Sequence, residues 1–586
     1  MKDENPMIVY KYTPTIRSKI FNYRQTAEEY IEDSEVNMTC TCIESQFIDV
    51  NPGHVVTGNL DIIDNKELRN IFQKGPSYRE KKAINWRFTE EALLQDLNAF
   101  IKKWSSKNGL SERCFSEWKQ QVVDRVKDKV RRLKKASRYE KVRSVFKDCA
   151  KELEDLKKKY VIVPIDKASN NIGFVCKKYY LQVLKQEVSS GTYEIYEETP
   201  EEVVEFLKRE SQKIAMPVGK PFKDLPSIHM TLKMHKNPVK FRFIIGSRTA
   251  VVKPAAKALV QILKFVMDMH RRYCAKVKFF TGVERFWIIE NNMKLLDIMY
   301  RISMKKRARN FEGFDFSTLY TKISLADLKE KLKAVVAKAF KGGSNQYIRV
   351  TDKSACWSNS PSGGSSRTYS KDHVNMLIDF VVDNSFFRFG ETVYRQCVGI
   401  PMGVDPAPQM ANLYLYFYES MFMEQLTKTD YKTAMKFNNT TRFIDDLGTL
   451  NNDGLMARYK ADIYPRELEL LSQNPDTQKG NMLDVSIEVL DRKFFTKTYD
   501  KRDDYSFEII NYPDLSGNIP QGAAYGVYIS QVLRYARVCS EKKDFDQRVK
   551  TLTGKLIKKG YTKERLKKTL HRCYQKYSWI PTKYRS

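Results

Sequence analysis

The sequence predicts an α+β fold. Short apolar or alternating runs, such as 160–164 and 241–245, are typical of strands. Longer stretches with apolar residues three or four positions apart, such as 115–159 and 325–340, indicate helices. The segment 344–370 is rich in Ser, Gly and Thr and predicts a surface loop. The chain has 586 residues and no internal repeat, so we expect several subdomains with cores of their own.

The charge balance predicts a polyanionic partner. The chain carries 102 Lys and Arg against 71 Asp and Glu, a formal net charge of +31, and phosphate contacts made by such a surface release counterions. The alternative is a basic soluble protein without such a partner. No window is apolar over a membrane-spanning length, and residues 1–6 contain no apolar signal region. We therefore expect a cytosolic or nuclear protein that is not secreted, has no membrane partner and keeps its ten cysteines reduced.

The N-terminal part contains a basic helical pattern. Its apolar residues recur every three or four positions, at Trp118, Val122, Val126, Val130 and Leu133. Lysine and arginine residues occupy the positions between them. A solvated basic face is the default interpretation, and a nucleic-acid contact is the alternative.

The Cys40-Thr41-Cys42 segment raises the question of a zinc site. With His54 it offers two close cysteines and one distant histidine, which is three ligands at an unusual spacing. The sequence favours buried thiols and a hydrogen-bonded histidine over a metal.

Basic residues of a predicted hairpin over 232–243 are candidates for binding phosphate groups. Lys233, Lys236 and Arg242 would lie over a cleft, where a triphosphate needs cations and arginine adds bidentate geometry. Lys167, in an earlier turn, could join them. A solvated hairpin is the alternative, and it suits Lys236 better than Arg242, whose neighbours are apolar.

A single aspartate stands between aromatic residues at a predicted strand end. Phe314 and Phe316 flank Asp315, and a carboxylate among apolar rings is costly unless a cation pairs with it. A metal ion would supply that cation. Five positions on, Tyr320 could lie under a ribose and exclude a 2′-hydroxyl. The alternative is a tyrosine that packs and hydrogen-bonds at the strand exit.

An Asp-Asp pair follows in a second predicted hairpin. The strands 441–444 and 447–450 can pair and leave Asp445 and Asp446 in the turn. Adjacent like charges repel, so an added cation explains the pair best. The alternative is an ordinary surface turn, where such pairs are common.

A glycine loop separates the two acidic segments. Gly399 and Gly403 bracket a tight turn before a helix, and Gly403 would let the backbone approach a template base or an incoming nucleotide. A plain start of a helix is the alternative. The fixed order of lone aspartate, glycine loop and aspartate pair predicts template-directed polymerisation, in which a few carboxylates hold two Mg²⁺ ions.

These segments resemble the reverse transcriptases of Penelope-like retroelements, which are akin to telomerase reverse transcriptases. The resemblance runs from about residue 40 to the C-terminus. Its segments are 315–321 (motif A), 399–403 (motif B), 443–446 (motif C), 232–236 and 241–244 (motifs 1 and 2), the 165–167 turn, 483–485 before the primer grip, and 525–531 with Arg534 in the thumb. Motifs A and C are generic to right-hand polymerases, whereas the Leu-Tyr-Thr run and the thumb segment are more specific. Met402-Gly403 departs from the Gln-Gly of many reverse transcriptases.

The resemblance implies a right-hand fold with a mixed α/β N-terminal extension. The expected ranges are 1–155 for the extension with basic helices, 156–275 for the fingers, 276–490 for the palm, and 491–586 for the primer grip and thumb. Asp315 and Asp445 would hold both Mg²⁺ ions, with Asp446 assisting. The dNTP would be bound by Lys233, Arg242, Lys167, Tyr320 as the ribose gate, and Gly403.

The resemblance also implies the partners, which are an RNA template, a DNA primer or target end, and dNTPs. It implies nuclear localisation after cytoplasmic synthesis. Relatives often carry a GIY-YIG nuclease, of which Gly526-Val527-Tyr528 matches only half, so an endonuclease could act in trans. An RNA-dependent RNA polymerase is a second hypothesis, which Tyr320 disfavours. A domesticated, catalytically silent RNA-binding scaffold is a third, which the three acids disfavour.

Overall fold

The computed structural model describes residues 13–80, 86–108, 112–136, 145–216, 218–219, 222–341, 346–351, 354–361, 367–401 and 403–585. Met402, which the sequence places in the glycine loop, lies outside the described residues. Helices and strands both contribute extensively, so the α+β prediction is confirmed. None of the described helices combines the length and the apolar character that crossing a bilayer requires.

The strands and helices are numbered in chain order. The strands are β1 (Ile48–Asp49), β2 (His54–Thr57), β3 (Tyr160–Ile165), β4 (Ala168–Cys176), β5 (Tyr193–Tyr196), β6 (Ser227–Lys233), β7 (Lys240–Gly246), β8 (Phe311–Phe316), β9 (Tyr347–Val350), β10 (Ala355–Ser358), β11 (Arg367–Tyr369), β12 (Phe386–Phe389), β13 (Thr392–Gln396), β14 (Thr440–Phe443), β15 (Asp446–Leu450), β16 (Leu470–Ser472), β17 (Lys479–Met482), β18 (Val485–Leu490) and β19 (Lys493–Thr498). The helices are α1 (Arg17–Ile20), α2 (Tyr23–Glu28), α3 (Glu32–Val36), α4 (Lys66–Gln73), α5 (Trp86–Asn108), α6 (Glu112–Ala136), α7 (Val145–Asp148), α8 (Ala150–Lys159), α9 (Lys177–Val188), α10 (Pro200–Lys213), α11 (Lys253–Thr281), α12 (Met293–Met304), α13 (Leu325–Phe340), α14 (Lys371–Asp383), α15 (Ala407–Thr429), α16 (Tyr431–Met435), α17 (Leu455–Ile463), α18 (Gln521–Val538), α19 (Lys542–Lys558), α20 (Lys563–Lys576) and α21 (Trp579–Lys583).

Nine strands form the large sheet, in the order β1-β2-β4-β3-β6-β12-β13-β5, with β7 paired to β6. Strands β3 and β6 pair in parallel at Ile165 and Leu232, which brings the β3–β4 turn beside the β6–β7 hairpin. That hairpin matches the one predicted over 232–243. The large sheet includes β1 and β2 from the range expected for the N-terminal extension, and β12 and β13 from the range expected for the palm.

Four strands form the acidic sheet, in the order β14-β15-β8-β16. Strand β8 runs through its centre and is buried except at Asp315, which is half-buried. Helices α13 and α15 pack against each other and contribute to the same apolar core, through side chains such as Leu332 and Met410. Helix α13 has the bounds that the sequence predicts. The acidic sheet therefore rests on a large core and exposes a carboxylate at one strand end.

The C-terminal part forms a sheet followed by the C-terminal bundle, which is α18 to α21. The sheet has the order β17-β18-β19, and the bundle has its own core around Tyr528, Val532 and Leu556. Gly526-Val527-Tyr528 lies within α18. An Arg534–Asp484 ion pair of 2.8 Å joins the bundle to the turn before β18.

The prediction of a surface loop over 344–370 is wrong for the part of that segment that the structure describes. Strands β10, β9 and β11 form an antiparallel sheet there. Trp357 packs edge-on against Phe265 of α11 at 5.2 Å between ring centroids, and Ile348 and Tyr369 are buried. A few widely spaced apolar side chains therefore anchor strands whose average composition resembles that of a loop.

Candidate active site

Asp315 and Asp446 lie directly opposite each other on neighbouring antiparallel strands of the acidic sheet. Residues opposite each other in such a pair project from the same face of a sheet. The β14–β15 turn consists of Ile444 and Asp445, and the Asp445 carbonyl accepts the Phe316 N–H at 3.2 Å. The two acidic segments predicted from the sequence are thus brought together, with Asp446 at the start of β15 rather than in the turn.

A buried arginine stabilises this turn through a hydrogen bond to its backbone. Ile444 has a positive φ of 55°, which is unfavourable for a β-branched residue, and Arg442 donates a 3.0 Å hydrogen bond to its carbonyl. Arg442 and Glu419 form an ion pair and both are fully buried. Arg442 Nη1 also donates to Asn412 Oδ1 at 2.9 Å, and the Tyr464 hydroxyl donates to Glu419 Oε1 at 2.9 Å. Sequence reasoning missed Arg442 because it reads as an ordinary strand residue.

Burial and neighbouring carboxylates raise the pKa of Asp446 and Asp315. Burial raises the pKa of Asp446 to about 6; Lys501 opposes this shift, and the charges of Asp445 and Asp315 add to it. Burial and the Asp445 charge also raise the pKa of Asp315, while Lys501 and Lys167 act in the opposite direction. Ionising the whole group is therefore unfavourable without additional positive charge.

Asp315, Asp445 and Asp446 have the ligand chemistry that magnesium prefers, and a magnesium ion at this place stays a prediction. Ionised aspartates offer only oxygen ligands, which hard divalent cations prefer. No lysine or arginine nitrogen among the described residues lies within 4.0 Å of the three carboxylates, and distant lysines only partly offset their repulsion. The fold thus supplies oxygen ligands and an uncompensated negative charge at one place.

Tyr320 lies close to the acidic residues. Burial and the Asp445 charge raise the pKa of its hydroxyl to about 12, so the hydroxyl stays protonated at neutral pH. The ring is half-buried and packs against the main core. Both the predicted gate and a packing tyrosine agree with this position, and the gate stays a prediction.

Gly403 is required by the protein's own backbone. It has a φ of +92°, and a Cβ atom there would lie 1.9 Å from the carbonyl oxygen of Ile245 on β7. Ser247 donates a hydrogen bond to the Gly403 carbonyl. The glycine loop is thereby fixed to the end of the β6–β7 hairpin, which explains the glycine without a nucleotide. Its predicted approach to a base or nucleotide stays a prediction.

The β3–β4 turn carries Asp166 and Lys167 beside Arg242. The Asp166 carboxylate lies 3.3 Å from Arg242 Nε, and its other oxygen is buried without a hydrogen-bond donor among the described residues. The Asp166 N–H donates to Leu232 O at 2.8 Å. Tyr505 donates to the Asp166 carbonyl at 2.6 Å. The chain that follows β19 therefore holds the turn against the hairpin.

The predicted basic residues converge around this turn. Burial lowers the pKa of Lys167. The charges of Lys501, Arg242 and Lys236 lower it further, whereas the charge of Asp166 raises it. Burial lowers the pKa of Lys233 as well, with a further contribution from Arg242. Positive charges that destabilise one another in this way form a site suited to an anion.

Lys501 is the functional candidate that sequence reasoning missed. Its charge acts on Asp315 and Asp446 as well as on Lys167, so the acidic and basic groups lie within electrostatic reach of one another. It belongs to the 3₁₀ turn Lys501–Asp504, just after β19. The mixed charges of that stretch gave no sequence signal that one lysine lies within electrostatic reach of the aspartates.

The order of the sheets and the C-terminal bundle along the chain agrees with the right-hand arrangement expected from the sequence. The acidic strands lie in the range expected for the palm, the β6–β7 hairpin in that expected for the fingers, and the bundle in that expected for the thumb. The nine-stranded sheet also contains strands from outside 156–275, on both sides of that range. The division into these three subdomains stays a prediction.

Comparisons with known proteins find only distant likenesses. No family model and no curated protein sequence matches the chain. Solved structures that it resembles include a telomerase from Candida albicans in complex with a fragment of telomeric RNA, at 10% identity and a TM-score of 0.48, over 73% of this chain and 68% of that one. A telomerase from Candida tropicalis, also with such a fragment, aligns at 10% identity and a TM-score of 0.44, over 90% and 73% of the two chains. An RNA-dependent RNA polymerase of BmCPV aligns at 11% identity and a TM-score of 0.32, over 68% and 29%.

Proposed function

We propose that this chain is an RNA-directed DNA polymerase of the Penelope-like type, which extends a primer 3′-hydroxyl on an RNA template. The observation that supports it best is the pairing of Asp315 with Asp446, beside Asp445 and within electrostatic reach of Lys501 and Lys167. Carboxylates that repel each other and lysines whose charges reach them suit a metal-bound triphosphate.

Asp315 and Asp445 would hold two Mg²⁺ ions, with Asp446 assisting. Bound magnesium supplies Lewis-acid activation of the 3′-hydroxyl and neutralises charge on the transferred phosphoryl group. The chain's own residues have distinct tasks. Lys167, Lys233, Arg242 and Lys501 would bind and orient phosphate oxygens, and Arg donates to two oxygens at once. Arg442 keeps the turn that carries Asp445 in place.

The partners follow from the same arrangement. A net charge of +31 supports binding of an RNA template and a DNA primer or target end, and dNTPs are favoured over ribonucleotides by Tyr320 next to the acidic residues. We propose that the enzyme acts in the nucleus, with an endonuclease supplied in trans. A catalytically silent RNA-binding scaffold is the second candidate, since the same positive charge serves binding alone.

The test is primer extension on an RNA template with dNTPs and Mg²⁺. We compare the native chain with Asp445→Ala and with the control Asp462→Ala, which alters an exposed aspartate of α17. The native chain and the control should extend the primer, and Asp445→Ala should lose extension by a factor of about 10³ or more while still binding RNA.

Three outcomes contradict the proposal in different ways. RNA binding without extension by the native chain supports the scaffold instead. Extension that survives in Asp445→Ala removes the proposed metal ligand. RNA binding that falls with Asp445→Ala as much as extension does shows that the aspartate serves the fold rather than the chemistry.

A further inference from the structure

Four potential metal ligands meet at the edge of the large sheet, far from the acidic residues in the sequence. Cys40 and Cys42 lie in the segment between α3 and β1, His54 begins β2, and Cys176 ends β4. One ligand atom from each residue lies within 4.8 Å of those from the other three. The sequence offers only the first three as a group, whereas folding adds Cys176 from 136 residues beyond Cys40.

The distances between these atoms suit tetrahedral zinc. The Cys40 sulfur lies 3.2 Å from His54 Nδ1 and 3.5 Å from the Cys176 sulfur. Bond lengths of about 2.3 Å to sulfur and 2.0 Å to nitrogen place tetrahedral ligand atoms roughly 3.5–3.8 Å apart. Small side-chain adjustments therefore suffice to surround one ion.

The surroundings suit a closed structural site. Cys42 and Cys176 are buried, the Val55 N–H donates to the Cys42 sulfur at 3.3 Å, and the Tyr179 ring stacks on His54 at 4.9 Å between centroids. Backbone donors and a fixed ring orient the ligands, as outer partners do in metal sites.

The apolar packing of this segment is small. The buried part of its cluster consists of Cys42, Val55 and Cys176, so two of three core side chains are candidate ligands. Ile43 and Val50 are exposed at 90% and 93%. A segment with so little core needs another source of order, and a structural metal supplies it in small units.

We propose that Cys40, Cys42 and Cys176 as thiolates and His54 through Nδ1 bind one Zn²⁺. The ion ties the segment before β2 to the end of β4, next to the Val56–Val175 pairing of β2 and β4. A Cys40–Cys176 disulfide is the competing use of the same atoms, but it would leave the Cys42 thiol and the His54 imidazole as an unused pair. This site is independent of the polymerase chemistry.

The first test measures zinc in the full chain, purified under reducing conditions and dialysed, by mass spectrometry of the metal. We expect roughly one zinc ion per chain in the native protein and in the control Cys149→Ser, whose buried thiol lies outside the cluster. Cys176→Ser and Cys40→Ser should each retain less than about a fifth of it. Zinc that persists in both variants, or no zinc in native protein supplied with the ion, overturns the proposal.

A second test uses only the native chain, so its result does not depend on whether a variant folds. Exchange of the native chain with Co²⁺ should produce the intense visible bands of tetrahedral cobalt bound by thiolates, and one equivalent of Zn²⁺ should remove them. Absence of these bands contradicts the site. Alkylation without reductant, followed by peptide mass spectrometry, should find all three ligand cysteines alkylated and unlinked after metal removal. A Cys40–Cys176 disulfide in the fresh protein instead overturns zinc in favour of a covalent bridge.

Discussion

Two groups of charges meet at the β14–β15 hairpin, one through Arg442 and the other through Asp446, and their surroundings differ. Arg442 and Glu419 are fully buried and every charge has partners within the fold. Asp446 and Asp315 are half-buried and lack an ion pair among the described residues. The first group stabilises the hairpin. The second destabilises it through repulsion between carboxylates, which a bound cation would relieve.

The difference shows how residues that support the fold can be separated from residues that bind a ligand in the acidic sheet. A satisfied buried pair is expected to matter for folding, because removing one member leaves the other charged and buried. An unsatisfied group is expected to matter for ligand binding, because removing a member relieves repulsion in the free protein. The two groups should thus respond to substitution with opposite signs.

The largest effect should come from Arg442→Met. It leaves Glu419 buried without its cation, so the free energy of unfolding should fall by about 3–5 kcal/mol, as measured by urea denaturation. Arg309→Met, at an exposed pair with Asp453, is the control and should cost less than about 1 kcal/mol. If the two substitutions lower the free energy of unfolding equally, the buried Arg442–Glu419 pair has no special role in supporting the hairpin.

The opposite sign is expected for Asp446→Asn without metal. The pKa of Asp446 is raised to about 6 in the folded protein, so the unfolded state loses its proton first and stability falls as pH rises from about 4 to 6. The variant should be more stable than the native chain by about 3 kcal/mol at pH 7.5, and no more stable at pH 3.5. Thermal melts across this pH range measure the difference in stability between the variant and the native chain, with Asp462→Asn as the control. Added Mg²⁺ should reduce that difference. A variant that is less stable than the native chain at pH 7.5 would contradict the view that Asp446 is a repelled, unpaired carboxylate.

The role of Tyr320 sharpens the functional side of the comparison. Tyr320→Ala should raise ribonucleotide incorporation relative to dNTP incorporation by about tenfold or more, the range expected when a small steric filter is removed. Tyr320→Phe keeps the ring and should leave the ratio close to native. Competition between rNTPs and dNTPs in primer extension provides the measurement. An unchanged ratio in the alanine variant leaves Tyr320 as a packing residue.

The smallest effect should come from Lys501→Ala. Loss of its charge should raise the pKa of Asp446 and Asp315 further, because Lys501 lowers both. The acid limb of the pH–rate profile should then move to higher pH. Lys493→Ala, at an exposed position on β19, should not move it. A reduced rate with an unmoved acid limb would limit Lys501 to binding phosphate groups.

Local signals made much of the site predictable. Asp315 among aromatic residues, the aspartate pair between two short strands, and the hairpin over 232–243 are patterns within a few residues, and the structure forms the elements that they indicate. The segment 344–370 shows the limit of such patterns. Its composition favours a loop, but Ile348, Trp357 and Tyr369 pack against the rest of the fold and impose strands.

The sequence by itself determined which residue types could do chemistry and on which local elements they stand. The tertiary structure alone decided which of them come together. Examples are the Asp315–Asp446 register, the burial of Arg442, the charge of Lys501 within reach of Asp446, and the approach of Cys176 to Cys40, Cys42 and His54. The physical reason is that periodicity and turn chemistry act over a few residues. Strand register and burial are set by packing between segments that are distant in the chain, which no local pattern encodes.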